Sequence, residues 1–126
     1  MNIKKQITTN QAPSPAGAYS QAIVADKFVF VAGQRPVNPC TGEMAEGIEE
    51  QTRQVIENIE AVLKAAGSGL EHIVKSTVYL SDIANFSAMN GVYEKMVPEP
   101  YPGRTTFGAQ LRGILVEIDV IALLNK

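Results

Sequence analysis

The sequence has few of the residues that most often carry metal, redox or nucleophilic chemistry. It contains one cysteine, Cys40, one histidine, His72, and no tryptophan. A single cysteine excludes an intrachain disulfide and a cysteine-rich zinc site. A single histidine argues against a Ser/His or Cys/His catalytic pair. We expect His72, which follows a glycine-rich helix end, to lie at the surface and Cys40 to be an incidental thiol in a turn.

An excess of positive charge and long apolar runs are also missing. Eleven basic and 13 acidic residues give a net charge of -2, so no basic face for nucleic acid is expected. The first ten residues lack the apolar segment of a signal peptide, and no apolar stretch reaches the roughly 18–20 residues that span a bilayer. Nucleotide-binding glycine motifs and zinc-protease motifs are absent. We expect a cytoplasmic protein without a metal, membrane or nucleic-acid partner.

Apolar periodicity predicts eight regular elements in a single domain of residues 1–126. Apolar residues recur at helical spacing in 48–66 and 85–97. The turn residues Asp26-Lys27 separate two β-prone runs and predict a hairpin. In all, strands are predicted at 4–8, 18–25, 28–33, 72–80, 104–111 and 115–124.

This order of elements predicts an α+β fold: one mixed sheet of about six strands with two helices on one face. The strands at 28–33 and 115–124 carry apolar residues on both faces, and a monomer would leave one of these faces in water. Large exposed apolar patches usually mark an interface. We therefore expect a homo-oligomer that buries the second face of the sheet.

The segment around Arg104 is the first candidate for a binding site. Pro102 and Gly103 lead the chain into this arginine, whose planar guanidinium suits bidentate binding of a carboxylate. The following strand carries two acids, Glu117 and Asp119, either of which could pair with Arg104 or serve a pocket. In a pocket, desolvation would raise the pKa of the acid and fit it for proton transfer. An ordinary surface arginine and a solvent-facing acid are the plain alternatives.

Two further residues are candidates because of the backbone around them. Tyr19 follows a stiff loop with two prolines and a glycine, so it either packs in the core or hydrogen-bonds to a substrate. Gly33 ends an apolar strand, where a glycine can mark a close approach of the backbone to a ligand.

Several of these segments together resemble the RidA family, also called the YjgF, L-PSP endoribonuclease or translation-inhibitor family. The resemblance covers essentially the whole chain. It rests on PAGAYSQA at 15–22, VAGQ at 31–34, NPCTG at 38–42, QTRQVIENI at 51–59, Arg104, and VEI at 116–118.

The resemblance implies a chorismate-mutase-like fold that assembles as a homotrimer with a ligand site between neighbouring subunits. It implies hydrolysis of reactive enamine or imine intermediates, such as 2-aminoacrylate, to 2-oxo acids and ammonia, without a cofactor. The implied activity is that of an enzyme similar to a 2-iminobutanoate/2-iminopropanoate deaminase. Its partners would be small imines or 2-oxo acids that carry a carboxylate.

The resemblance also assigns roles to individual residues. It makes Arg104 the carboxylate-binding arginine, Glu117 rather than Asp119 the active-site glutamate, and Tyr19 the tyrosine that shapes the pocket. Further contacts with substrate fall on Gly33, Asn90 and Thr106.

The chain departs from the family pattern in three places and is slightly shortened between Arg104 and Glu117. Ala32 stands where a serine is common, Thr106 where a cysteine is common, and Leu111-Arg112 where Leu-Pro is usual. These departures bear on substrate preference. They leave open a non-catalytic trimer that binds 2-oxo acids in a regulatory role. The older family names also suggest RNA cleavage. A chain with one histidine and a slight excess of negative charge gives this activity little physical support.

Overall fold

The computed structural model describes residues 3–125 as one six-stranded mixed sheet with two α-helices. Residues 1, 2 and 126, which the predicted domain includes, lie outside the described residues. The strands run in the order β1-β2-β3-β6-β4-β5, and only β4 and β5 are parallel neighbours. The elements are β1 Lys5–Ile7, β2 Ala22–Ala25, β3 Phe28–Gln34, α1 Ile48–Ala65, β4 Ile73–Leu80, α2 Phe86–Met96, β5 Gly103–Gly108 and β6 Val116–Leu123, with short 3-10 turns at Leu70–His72 and Ile83–Asn85. The predicted α+β class is confirmed.

Helix α1 follows the predicted apolar stripe closely. It buries Val55, Ile59 and Val62 along one face and packs against β3 and β6. It ends where Gly67 adopts a φ of 83°, and the Ser68 amide donates to the carbonyl of Leu63 at 2.8 Å. This is the left-handed termination that glycine allows without strain.

The alternation along β6 defines the two faces of the sheet. Val116, Ile118, Val120 and Ala122 are buried beneath the helices, whereas the intervening residues are half-buried. The second face is called the open face here. It carries Glu117, Asp119, Ile121 and Leu123 of β6, together with exposed Phe30 of β3 and Phe107 of β5. The predicted apolar residues on a helix-free face are therefore present.

Two predicted strands extend three or more residues beyond the observed ones at one end. The strand predicted at 18–25 begins only at Ala22, because the Gln21 side chain donates to carbonyl oxygens of Thr9, Ala12 and Pro13 and fixes the preceding loop. The strand predicted at 104–111 ends at Gly108. The hairpin turn is as predicted, with Asp26 at a φ of 57°. Between residues 3 and 125, neither helix is long and apolar enough to cross a membrane.

A candidate active site divided between two faces of the sheet

Arg104 lies on the helix-covered side of the edge strand β5. It pairs in register with buried Ser76 of β4, which points toward the helices. The Arg104 Nη1 donates to Asn90 Oδ1 at 2.8 Å. The guanidinium carbon lies 4.7 Å from the ring centre of Tyr93 and 5.4 Å from that of Phe86. All three partners come from one face of α2, since residues three and four apart on a helix are neighbours.

The Arg104 guanidinium has binding capacity left over. The ion pairs found among residues 3–125 involve Arg53, Lys64 and His72, so Arg104 forms no salt bridge there. Its cavity has a volume of about 360 Å³ and is lined by Asn90, Tyr93, Glu94, Tyr101, Pro102 and Arg104. A half-buried guanidinium with free donors in such a cavity can take a carboxylate in bidentate fashion.

Tyr93 and Thr106 complete what we call the arginine cluster: Arg104, Asn90, Tyr93 and Thr106. Burial raises the pKa of Tyr93, although its hydrogen bond with Ser76 and the charge of Arg104 act in the opposite direction. Thr106 lies two residues beyond Arg104, on the same side of β5. Its Oγ1 is buried and has no hydrogen-bond partner in the described part of the chain. The cluster thus offers a hydroxyl and a guanidinium that both have hydrogen-bond donors left for a ligand.

Glu117 lies on the open face, against the backbone of β3. A Cβ built on Gly33 would collide with its Oε2, so only glycine leaves room for this carboxylate. The close approach at Gly33 is thus to a side chain of the same protein, and the predicted approach to a ligand stays a prediction. Burial raises the pKa of Glu117, the positive charge of Arg35 lowers it, and the negative charge of Asp119 raises it further.

Asp119, the other acid of β6, is already engaged. The Tyr79 hydroxyl donates to Asp119 Oδ2 at 2.6 Å, and this hydrogen bond is the main reason that the pKa of Tyr79 rises to about 12. Glu117 accepts no hydrogen bond from another side chain among residues 3–125. The sequence spacing could not choose between the two acids, and the structure leaves Glu117 as the one with a free carboxylate.

Tyr19 lies beside Gly33 in a cavity of about 180 Å³ that Arg35 also borders. Its side chain is 45% exposed, and its hydroxyl accepts a hydrogen bond from the Ala16 amide at 3.0 Å. Ala16 and Arg35 also line a second cavity, which contains Glu117. We call Glu117, Gly33, Tyr19 and Arg35 the glutamate cluster. Tyr19 is therefore not a core residue but part of an accessible surface.

The two clusters lie on opposite faces of the sheet. Tyr79 of β4 pairs with Phe107 on one side and Glu117 on the other, so all three side chains share the open face. Arg104 is three residues before Phe107, and an odd number of residues along a strand reverses the face. The pairing of Arg104 with Glu117 or Asp119 that the sequence suggested is therefore not made within one chain.

Sequence reasoning missed the residues that hold these clusters in place. Asn58 of α1 is 1% exposed and donates from Nδ2 to the carbonyls of Arg35 and Val37, both at 3.0 Å. Gln51, seven residues earlier on the same helix face, accepts from the Leu115 amide at 2.8 Å. The available signal was a pair of polar residues within an otherwise apolar stripe. Among the described residues, no group of three or more His, Cys, Asp or Glu could hold a metal ion.

The chain is similar to known proteins over nearly its whole length. The profile of the Endoribonuclease L-PSP family matches residues 9–124. A RutC family protein of Pyrococcus horikoshii is 47% identical over 123 residues, which is 95% of this chain and 98% of the relative. The 2-iminobutanoate/2-iminopropanoate deaminase of Capra hircus is 37% identical over 124 residues, covering 96% of this chain and 90% of the relative.

Solved structures agree with these sequence matches. RidA from an Antarctic Psychrobacter superposes with a TM-score of 0.92 at 37% identity, covering 95% of this chain and 99% of the other. Escherichia coli TdcF with bound serine superposes with a TM-score of 0.91 at 33% identity, covering 96% and 99%. The chain therefore belongs to the RidA family, the family of the Endoribonuclease L-PSP profile. The resemblance noted in the sequence is confirmed.

Proposed function

We propose that this protein hydrolyses small imines, and the enamines in equilibrium with them, to 2-oxo acids and ammonia. The observation that carries the proposal is the Arg104 guanidinium, which Asn90 and Tyr93 hold in a cavity and which forms no ion pair with any of residues 3–125. Relatives named imine deaminases at 37% identity support this reaction class. The bound serine of TdcF is also a small molecule with a carboxylate.

In this proposal Arg104 binds the substrate carboxylate. Two parallel N–H donors face the two carboxylate oxygens, and this geometry fixes the direction of the imine carbon. The Asn90 amide and the Tyr93 ring restrict the guanidinium beforehand, so less rotamer freedom is lost on binding. The free hydroxyl of Thr106 donates to the imine or carboxylate end of the same molecule.

Glu117 manages the protons of the reaction. Its carboxylate removes a proton from water as the oxygen adds to the imine carbon, and a proton passes to nitrogen to give a neutral carbinolamine. Glu117 then assists the collapse of this adduct: the C–N bond breaks, ammonia leaves and the carbonyl forms. A carboxyl group whose pKa is raised by burial is suited to both steps near neutral pH. Tyr19 and the backbone at Gly33 shape the space around the adduct.

The proposed enzyme is a homotrimer whose sites lie between subunits. Support comes from the separation of the two clusters onto opposite faces and from the exposed apolar residues Phe30 and Phe107 on the open face. A second copy of the chain that covers this face would bring its own arginine cluster toward the glutamate cluster of the first. Each site would then take Arg104 from one protomer and Glu117 from the next.

The test is the release of 2-oxo acid from imines that a threonine or serine dehydratase generates in situ. Wild type should accelerate release above the spontaneous rate. Arg104→Ala should lose about 100-fold or more in kcat/KM, since the substrate is no longer anchored. Arg53→Ala, which removes an arginine paired with Glu50 on the outside of α1, is the matched control and should keep full activity.

Two results would contradict the proposal. One is the absence of any acceleration by wild type, and the other is an equal rate for wild type and Arg104→Ala. Arg104-dependent binding of 2-oxo acids without turnover would instead support the non-catalytic regulatory trimer.

A further inference from the structure

The cavity that contains Glu117 is also lined by two arginines to which the proposed reaction assigns no contact with the substrate. It has a volume of about 470 Å³ and is lined by Ala16, Arg35, Gln110, Leu111, Arg112, Ile114 and Glu117. Arg35 is half-buried and Arg112 is exposed. Neither takes part in an ion pair among residues 3–125. The wall therefore carries two positive charges and one acid.

Arg35 is presented by a rigid backbone rather than by a loose loop. Its carbonyl accepts from the buried Asn58 amide at 3.0 Å and from the Val37 amide at 2.8 Å, and the next residue, Pro36, is buried. Leu115, the residue after the lining residue Ile114, is attached to the same helix through Gln51. Helix α1 thus anchors the backbone both at Arg35 and beside Ile114.

Free guanidinium donors on a fixed wall indicate recognition of an anion. Hydrogen bonds between arginine and a carboxylate are charge-assisted and stronger than those between neutral groups. The charge of Arg35 lowers the pKa of Glu117, but Glu117 forms no ion pair with Arg35 or Arg112, so the guanidinium donors remain available for a further anion. A substrate that already gives one carboxylate to Arg104 would need a second anionic group to use Arg35 and Arg112.

We propose that Arg35 and Arg112 bind a second carboxylate, so that the preferred substrates are imines of amino dicarboxylic acids. This inference rests on the function proposed above and names the class of substrate for the same site. Arg104 would bind the carboxylate next to the imine carbon, and Arg35, aided by Arg112, would bind the carboxylate at the far end. The reaction that supplies such a substrate would be the oxidation of an amino dicarboxylic acid at its amino group by an oxidase or dehydrogenase, or the dehydration of a 3-hydroxylated amino dicarboxylic acid.

The experiment compares two imines generated in situ by amino-acid oxidases, one from 2-aminobutanoate and one from glutamate. Wild type should have the higher kcat/KM for the glutamate-derived imine. Arg35→Gln should lower the ratio of the two kcat/KM values by about tenfold, as expected for a lost charge-assisted hydrogen bond. Arg112→Gln should lower this ratio less, because Arg112 is exposed, and Arg35→Lys should restore part of it.

A ratio of kcat/KM values separates anion recognition from an effect on Glu117. If Arg35 only tuned the pKa of Glu117, Arg35→Gln would change both imines alike and shift both pH profiles, with the ratio unchanged. That result would overturn the inference. Arg53→Gln, which lies outside the cavity, controls for the loss of one positive charge. Melting temperature and oligomeric state are compared to exclude misfolding or a broken subunit contact.

Binding of 2-oxo acids tests the inference even if the deaminase proposal fails. By calorimetry, wild type should bind 2-oxoglutarate more tightly than 2-oxobutanoate, and Arg35→Gln should abolish the difference. Equal affinity of wild type for the two acids would refute the second carboxylate site, whatever the outcome of the deaminase assay. A preference for 2-oxoglutarate without any imine turnover would retain the site and refute only the proposed function.

Discussion

The carboxylate of Glu117 occupies the space that a side chain on Gly33 would need. A Cβ at Gly33 would collide with Glu117 Oε2 and lie 3.0 Å from its Cδ. The colliding atoms belong to the end of a flexible side chain and not to the backbone. A side chain on Gly33 would therefore displace Glu117 and leave the fold intact.

Gly33→Ala is expected to abolish most of the activity while changing stability little. The new methyl group turns the Glu117 carboxylate away, and a misplacement of about 1 Å can cost about 100-fold in rate. Gly91→Ala is the matched control, since nothing lies within 4 Å of its added Cβ and the residue is within α2. The Gly91→Ala control should keep its activity, and its free energy of unfolding should increase by about 0.5–1 kcal/mol. The measurements are the deamination rates and the thermal unfolding of both variants. A Gly33→Ala variant with wild-type activity would contradict the proposed role of the Glu117 position.

Glu117→Gln should make the protein more stable above acidic pH. Burial raises the pKa of Glu117 above its ordinary value of 4.5, so the folded protein holds this proton more tightly than the unfolded chain. The free energy of unfolding of wild type should therefore fall as the pH rises from about 4.5 through the raised pKa. Glutamine does not titrate, so the advantage of the variant should grow across this window and then stay constant.

Urea unfolding at a series of pH values measures this difference. Glu57→Gln, on the exposed face of α1, corrects for the general effect of the substitution. A stability difference between Glu117→Gln and wild type that is independent of pH, or that shrinks as the pH rises, would contradict the burial of an ionised Glu117.

Asp119→Asn should lower the pKa of Tyr79 from about 12, because the hydrogen bond to Asp119 is the largest cause of the increase. The carbon shift of the Tyr79 ring in labelled protein follows this ionisation, with Tyr79→Phe for assignment. Asp26→Asn removes an acid at a turn where asparagine fits the left-handed backbone, and it should leave Tyr79 unchanged. Wild type should also lose stability between pH 10.0 and about 12, where the unfolded tyrosine ionises first.

Thr106→Val should not lower the stability of the ligand-free protein. The Thr106 hydroxyl is buried and has no hydrogen-bond partner among residues 3–125, so its removal relieves a desolvation cost. The same change at Thr52, whose hydroxyl donates to the Ile48 carbonyl at 2.7 Å, should cost about 1 kcal/mol. A larger loss at Thr106 than at Thr52 would mean that the hydroxyl has a partner. Thr106→Val should weaken 2-oxo acid binding if the hydroxyl contacts the ligand.

The helices, the hairpin and the sheet were predictable because each is encoded locally. Val55, Ile59 and Val62 recur at the helical period, and the turn at Asp26 separates two β-prone runs. The predicted start of β2 was wrong because the Gln21 side chain donates a hydrogen bond to the carbonyl of Thr9, twelve residues away in sequence. No local pattern encodes this contact, which fixes the loop before the strand.

The arrangement of the candidate site was not predictable in the same way. Within each strand, the alternation of side chains was predictable from the sequence, for β5 around Arg104 and for β6 around Glu117. Their faces relative to each other depend on the registers of β4 with β5 and with β6, which no local pattern encodes. The support from Asn58 was missed for a similar reason, because a polar residue in an apolar stripe does not reveal which loop it holds.

The position of Arg104 and Glu117 on opposite faces has a genetic consequence. In the proposed trimer, Arg104→Ala and Glu117→Gln would damage different halves of each site. When both variants are produced in one cell, about one quarter of the sites in randomly mixed trimers would combine an intact arginine with an intact glutamate. Two inactive alleles would then complement each other, which a site formed within one polypeptide could never allow.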